Sequence, residues 1–151
     1  MERIDIKKLG MKEISLQSEV DFMAECFKEE FGNYGDPCFM YKNEDEYIKN
    51  WRILMLNDDM IGYFKLNRHD DLGFNYIHIP CILMKKEFRK KGYAKKTIDF
   101  IKKIGLNNDV KLIELESLKS SELFWIKQNF KVTERNVDEY GKELITMKYY
   151  F

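Results

Sequence analysis

Cysteine, proline and histidine are scarce in this chain: three, two and two among 151 residues. Cys26, Cys38 and Cys81 lie far apart with no Cys-x-x-Cys spacing. That argues against a disulfide framework or a zinc site and suits a reducing cytosol, so a cytoplasmic location is expected. With His69 and His78 as the two histidines and no ligand spacing around them, no metal is expected. No apolar run approaches the length of a membrane span. The segment Met1-Glu2-Arg3-Ile4-Asp5 lacks the apolar core of a signal peptide. Neither sign of charge dominates, with 26 acids against 26 Lys and Arg. Global charge therefore points to neither nucleic acid nor a membrane surface as a partner, and local clustering carries the information. Repeats, low-complexity tracts and linkers are also missing, so residues 1–151 are expected to form a single domain.

What is present is an ordinary globular composition, 44% apolar and 34% charged, enough for one sizeable core. Ile4, Ile6 and Leu9 predict a first strand over Arg3–Leu9, ended by Gly10. Ser18, three residues before Asp21, resembles a capping box. Val20, Met23, Ala24, Phe27 and Phe31 follow at helical spacing, with Gly32 as a stop. Residues 32–43 are expected to be a loop rich in aromatics (Tyr34, Phe39, Tyr41), which either folds over a pocket or plugs the core edge. Asn43 and Glu46 suggest a short helix to about Asn50. The apolar run Trp51–Leu56, the turn Asn57-Asp58-Asp59 and the run Met60–Leu66 predict an antiparallel hairpin. A polar loop is expected over Asn67–Gly73. Further along, Val110–Glu116 reads as a strand and Ser120–Asn129 as a helix carrying Leu123, Phe124 and Ile126. Phe130–Thr133 and Leu144–Tyr150 read as terminal strands. The order is β-α-α-β-β-β-α-β-α-β-β, an α/β (α+β) arrangement with a mixed sheet and helices on both faces.

The chain is organised around Asn75–Ile104, an apolar strand, a short basic turn with one glycine, and an amphipathic helix. Backbone N–H groups at such a helix start have no partner within the helix and, with its dipole, form an anion site. Seven of the twelve residues from Lys85 to Lys96 are Lys or Arg against one acid, Glu87, a bias that favours a ligand with several phosphates.

With Arg89-Lys90-Lys91-Gly92-Tyr93-Ala94 at the turn, this order resembles the GCN5-related N-acetyltransferase (GNAT) superfamily, whose turn pattern is Arg/Gln-x-x-Gly-x-Gly/Ala. Leu123-Phe124-Trp125-Ile126-Lys127-Gln128-Asn129-Phe130 looks like that family's aromatic-rich helix ending in Gly-Phe. The resemblance implies a mostly antiparallel sheet splayed between its fourth and fifth strands, with Pro80 at the splay or at a simple edge kink. It implies acetyl-CoA as co-substrate. The pyrophosphate would lie on the N–H groups of Arg89, Lys90, Lys91, Gly92, Tyr93 and Ala94. Lys95 and Lys96 lie within reach of the 3′-phosphate, unless they are solvated helix-surface lysines. The pantetheine arm would lie along Ile82, Leu83 and Met84.

The implied reaction is transfer of an acetyl group to a primary amine of a small molecule or peptide by direct attack. A neutral amine is needed, and His78, fourteen residues before Gly92 where one branch of the family places a glutamate base, is the candidate base. Its bland alternative is a packed strand residue. The backbone N–H near Met84 is the candidate oxyanion donor. The family's tyrosine proton donor is replaced by Trp125, whose indole N–H is no proton source at neutral pH. That substitution keeps open a second reading, a non-catalytic acyl-CoA-binding or regulatory protein. Cys81 on the strand is expected to be a buried small hydrophobe rather than a nucleophile. Tyr149, Tyr150 and Phe151 leave apolar surface that either packs on the sheet or meets a second copy, so a monomer or a homodimer is expected.

Overall fold

The computed structural model describes residues 9–15, 17–31, 50–71 and 73–151. Its elements are β1 (Leu9–Glu13), α1 (Gln17–Phe31), β2 (Trp51–Leu56), β3 (Asp59–Asp71), β4 (Phe74–Met84), α2 (Tyr93–Asn107), β5 (Leu112–Leu118), α3 (Glu122–Lys127), β6 (Lys131–Val137) and β7 (Glu143–Tyr150). Short 3-10 turns at Lys86–Phe88 and Lys119–Ser121 precede α2 and α3. The strands form one mixed sheet in the order β1-β2-β3-β4-β5-β7-β6. β4 and β5 run parallel, while β1–β2, β2–β3, β5–β7 and β6–β7 are antiparallel. This is the α/β architecture expected, with its parallel pair joined by a helical crossover. No helix among the described residues is long and apolar enough to cross a membrane.

Several boundaries differ from those predicted. Gly10 does not end the first strand; it lies inside β1, opposite Met55. A Cβ there would meet nothing within 4 Å, so the glycine is simply carried by backbone pairing. The predicted strand residues 3–8, the aromatic loop at 32–43 and the helix from Asn43 lie outside the described residues. The carboxylate at the start of α1 is Glu19, not Asp21. Its Oε1 accepts from the Ser15 N–H at 2.9 Å and its Oε2 pairs with Lys12 Nζ at 2.8 Å. The predicted polar loop from Asn67 is instead the far half of β3, which runs on to Asp71. There Arg68 and Asn75 tie to Asn108 through side-chain and carbonyl hydrogen bonds, which gives a polar sequence a reason to stay extended.

By internal contacts the chain divides into two compact units, one comprising the residues up to Lys65 with Cys81–Ala94, the other Leu66–Pro80 with Lys95–Phe151. In the first, Phe22, Met23 and Cys26 of α1 pack with Ile14 and with Trp51, Ile53 and Tyr63 of the β2–β3 hairpin; Cys81 and Leu83 border this cluster. Strand alternation sends Met84 to the opposite face, toward Gly62.

In the second unit the register of β4, β5 and β7 sorts side chains by face. Ile77, Ile113 and Tyr149 share a row, as do Ile79, Leu115 and Met147. This face meets α2, where Lys102 Nζ lies 4.2 Å from the Tyr149 ring centroid and also donates to the Gln128 carbonyl at 2.6 Å. α3 is shorter than predicted. Trp125 is buried and meets Phe124 and Phe130 edge-on, whereas Leu123 and Ile126 are exposed. The 3-10 turn before α3 advances the helical phase, so the aromatic side chains, not the aliphatic ones, reach the core.

Gly62 sets how closely β3 and the end of β4 approach. A Cβ at Gly62 would lie 2.6 Å from the Leu83 carbonyl oxygen and 3.2 Å from the Met84 Cα, both backbone atoms that cannot swing aside. Gly62→Ala should therefore destabilise the protein by about 1–3 kcal/mol, read as a lower urea midpoint at constant m. A variant as stable as the parent would show that the two strands separate freely at this point.

Candidate active site

The end of β4 and the turn after it belong to the first unit. The Lys85 N–H donates to the Ile61 carbonyl of β3 at 2.8 Å. In a pleated strand the peptide groups of successive residues alternate in direction. The N–H and C=O groups of Ile82 and Met84 therefore point to the edge away from β3, while those of Leu83 point toward it. Of the three strand residues predicted to line a pantetheine arm, two thus offer backbone groups on the outer edge, and Leu83 is spent on β3.

Arg89 holds the turn against the strand. Its Nε donates to the Met84 carbonyl at 2.8 Å, and its Nη2 pairs with Glu30 Oε2 of α1 at 2.8 Å. Its own N–H donates to the Lys86 carbonyl at 3.2 Å, inside the 3-10 turn. Arg89 is therefore an internal strut, with its Nε, part of its Nη2 and its own N–H engaged within the protein. The N–H groups of Lys90, Lys91, Gly92 and Ala94 have no partner among the described residues. Lys90 (φ 60°) and Gly92 (φ 86°) both adopt left-handed backbone on either side of Lys91, and such alternation makes successive N–H groups converge into an anion-binding concavity. A positive φ at 92 favours glycine there, since a Cβ is disfavoured in that conformation. Tyr93 opens α2 with its ring buried and edge-on to Phe88 at 6.5 Å, so the tyrosine anchors the helix start. Lys91 Nζ lies over the Phe88 ring at 5.8 Å. In the second unit, Lys95 is paired to Asp99 at 3.0 Å one turn along α2, whereas Lys96 has no partner among the described residues.

His78 lies in the second unit, on the face of its sheet opposite α2. It pairs in the parallel ladder with Glu114, which pairs across β7 with Lys148. The side chains follow the backbone register. His78 Nδ1 is 3.3 Å from Glu114 Oε1, and Glu114 Oε2 is 3.6 Å from Lys148 Nζ. All three are about 70% buried, with side-chain exposures of 27%, 30% and 29%. The ladder from β4 to β5 runs from Tyr76↔Leu112 to Ile79↔Leu115, and the next residue is Pro80, which has no N–H to continue it. On the same face, Tyr76 stacks on His69 of β3 with ring centroids 4.9 Å apart, and its hydroxyl meets Asp71. His69, expected to be solvated, is thus part of an aromatic pair. Glu114 and Lys148 were not singled out in the sequence. The available signal was the phase of Leu112, Glu114 and Glu116, which puts a carboxylate on alternate positions of a strand that must pair with β4.

Trp125 is 5% exposed, and its indole is enclosed by Phe124 at 5.0 Å and Phe130 at 5.1 Å. Within its unit it is a packing residue of the α3–β6 junction, where Asn129 (φ 68°) makes the sharp exit that a Gly would make more cheaply. In the first unit Cys81 faces the Tyr63 hydroxyl. Burial pushes the Cys81 thiol up to about 11, only partly offset by its hydrogen bond with Tyr63. Burial, helped by the Glu29 carboxylate, pushes Cys26 up to about 11 as well. Burial likewise raises the Tyr63 phenol well above its ordinary value. All three are held in their neutral, protonated forms near neutral pH.

The model of the acetyltransferase (GNAT) family matches residues 16–129. Among solved structures, Ard1 from Thermoplasma volcanium is similar with a TM-score of 0.75 at 13% identity, over 95% of this chain and 97% of that one. Arabidopsis thaliana Naa50, in complex with the bisubstrate analogue CoA-Ac-MVNAL, gives 0.74 at 10% identity over 95% and 99%. A mutant of the spermidine N-acetyltransferase SpeG from Vibrio cholerae gives 0.74 at 12% identity over 95% and 94%. A search of curated proteins finds no match.

The thiol environment has a direct chemical readout. The thiolate is the reactive form, and with a pKa of about 11 only roughly one Cys81 or Cys26 in a thousand is ionised at pH 8. Brief iodoacetamide treatment of the folded protein followed by peptide mapping should leave both unmodified at pH 8, with labelling rising steeply toward pH 10. Rapid labelling of Cys81 at pH 7 would contradict this and reopen a thiol role.

Proposed function

Because the chain belongs to the acetyltransferase (GNAT) family, we propose that it is an acetyl-CoA-dependent N-acetyltransferase that acts, as one domain in the cytoplasm, on a primary amine of a small molecule or peptide. The observation that carries this reading is the turn from Lys90 to Ala94. Among the described residues, the N–H groups of Lys90, Lys91, Gly92 and Ala94 have no partner, and with two left-handed residues they open a fifteen-residue helix, which is the chemistry a diphosphate needs. Lys90 and Lys91 add charge around the N–H groups of Gly92, Tyr93 and Ala94. Lys96, more than the Asp99-bound Lys95, is the cation available to a 3′-phosphate. The outward peptide groups of Ile82 and Met84 suit the amides of a pantetheine arm.

In the proposed reaction the neutral amine attacks the thioester carbonyl, forming the C–N bond. The carbonyl oxygen gains charge and is stabilised by the Met84 N–H. Collapse then breaks the C–S bond and releases coenzyme A thiolate, while His78 removes the proton from the attacking nitrogen, directly or through water. Similar proteins include an enzyme named for spermidine and one crystallised with a peptidyl bisubstrate analogue, so both acceptor classes remain within the reading. Tyr150 and Phe151, 54% and 42% exposed, are compatible with a monomer or with a homodimer built on them.

One observation favours a second reading, a protein that binds acyl-CoA without turnover. The buried indole of Trp125 stands at the position of the family's tyrosine, so no proton donor to the departing sulfur is supplied there. Acetyl-CoA should raise the melting temperature under either reading, by mass action on the folded state. Release of free thiol in the presence of an amine panel is expected only under the first, and its absence with every amine would favour the second.

Gly92→Glu should abolish the acetyl-CoA thermal shift while leaving the ligand-free melting temperature within a few degrees of the parent, because the carboxylate fills the concavity and repels phosphate. Retained affinity would remove the turn from the site. His78→Ala should lower kcat by on the order of 100-fold with little change in acetyl-CoA affinity; turnover equal to the parent would remove His78 as base.

A further inference from the structure

We propose that Glu114 is the residue that positions His78 as a base, and that Lys148 limits how strongly it does so, making the cross-strand row His78–Glu114–Lys148 a tuned unit. The inference rests on the catalytic reading of His78 given above. Its own basis is the geometry of the row. Three adjacent strands place one polar residue each at the same register position, and the contacts run in order from Nδ1 to Oε1 and from Oε2 to Nζ.

A carboxylate facing Nδ1 favours the tautomer that carries its proton there. In that tautomer Nε2 holds the lone pair, and Nε2 has no partner among the described residues. The imidazole is thereby turned with its basic nitrogen away from β5 and its donor nitrogen toward it. The 3.3 Å separation is an ion-pair distance rather than an aligned hydrogen bond, and small movements of the ring change its strength. When His78 takes a proton, the Glu114 charge stabilises the imidazolium. Lys148 opposes this in two ways, by sharing the carboxylate and by presenting its own positive charge.

Among the described residues, the other charged or titratable groups on this face of the unit are Glu116 of β5, Lys131 and Glu134 of β6 at the register positions of Lys148 and Thr146, Tyr150 of β7, Tyr76 of β4, and His69 and Asp71 of β3 beside Tyr76. Of these, none is in ion-pair contact with His78. Glu114 and Lys148 are therefore the two charges whose removal should act on it in opposite senses.

The test compares the parent with Glu114→Gln and Lys148→Met in the full chain, by the pH dependence of kcat/KM with acetyl-CoA and an amine that the parent accepts. Acetyl-CoA affinity is measured alongside. Removing the Glu114 charge withdraws stabilisation from the imidazolium, so the acid limb should move to lower pH, with kcat falling on the order of tenfold. Removing Lys148 should move the acid limb to higher pH. Acetyl-CoA affinity should be unchanged in both. With the two histidines distinguishable by nitrogen NMR, neutral His78 should show the Nδ1-protonated form in the parent and lose that preference in Glu114→Leu, with the His69 signals unmoved.

Acid limbs that stay in place, or that move in the same direction in both variants, would overturn the proposal even if both variants turn over and bind acetyl-CoA normally. A neutral His78 protonated at Nε2 in the parent would overturn it as well. A parent that binds acetyl-CoA but acetylates no amine would instead overturn the catalytic reading of the preceding subsection, and this proposal with it. A purely structural role for Glu114 predicts lower stability without opposite movements of the two profiles.

Discussion

A proline has no N–H, and the arrangement of β4 depends on where that absence falls. Before Pro80, Tyr76–Ile79 are laddered to β5. After it, the Lys85 N–H goes to β3, and the Met84 carbonyl is taken by the guanidinium of Arg89. Backbone polar groups seldom remain without partners in a folded protein. The strand meets this demand on its β3 side and at the Met84 carbonyl, and leaves the outward N–H groups of Ile82 and Met84 for something other than a strand. The basic turn then follows with four N–H groups of its own that have no partner among the described residues. A strand edge and a helix start of this kind suit a long ligand with amides at one end and phosphates at the other.

The polar side chains of the two units divide into supports and instruments. Arg89, although its charge suggests phosphate, is used internally, between a strand carbonyl and the Glu30 carboxylate. Lys95 is likewise held by Asp99. Among the described residues, Lys90 and Lys91 of the first unit and Lys96 of the second have no acidic partner. On the sheet of the second unit, the row through His78 is polar in a region where the neighbouring rows on the other face are wholly apolar. Burying an imidazole, a carboxylate and an ammonium to about 70% is costly unless they compensate one another, and their contacts in series do so.

Much of this was legible in the sequence because it depended on local rules. Gly92 behind an apolar strand, with helical periodicity after it, located the turn and α2. The β2–β3 hairpin followed from two apolar runs around Asn57-Asp58, whereas Pro80 was left as a splay or a simple edge kink and the side on which pairing stops came only from the register. What escaped was decided by partners distant in the chain. Asn67–Asp71 is polar and was read as a loop, yet it is strand because Arg68 finds Asn75 and Asn108. Arg89 looked like a phosphate ligand because neither Glu30 nor the Met84 carbonyl is visible from its neighbours in sequence. Glu114 became part of the candidate site only when the register with His78 was known, since a one-residue slip would turn it to the other face. The helix at 120–129 was read as carrying Leu123, Phe124 and Ile126, without a choice of face; Leu123 and Ile126 are exposed and Trp125 is buried.

The crossover through α2 also bears on the order in which the chain assembles. β6 and β7 are joined by a short turn around Gly141, where Asp138 caps the Tyr140 and Lys142 N–H groups, so this hairpin closes at small entropic cost. The ladder between β4 and β5 cannot form until the whole of α2 and its flanking turns have been drawn into a loop, and it returns few pairs for that loss of freedom. On topology alone, local pairing is favoured before the parallel seam, which closes the longer loop. The strand that carries the proposed base is completed by that longer-range contact, so the speed of renaturation and the recovery of activity should depend on the same few residues, Tyr76–Ile79 and Leu112–Leu115.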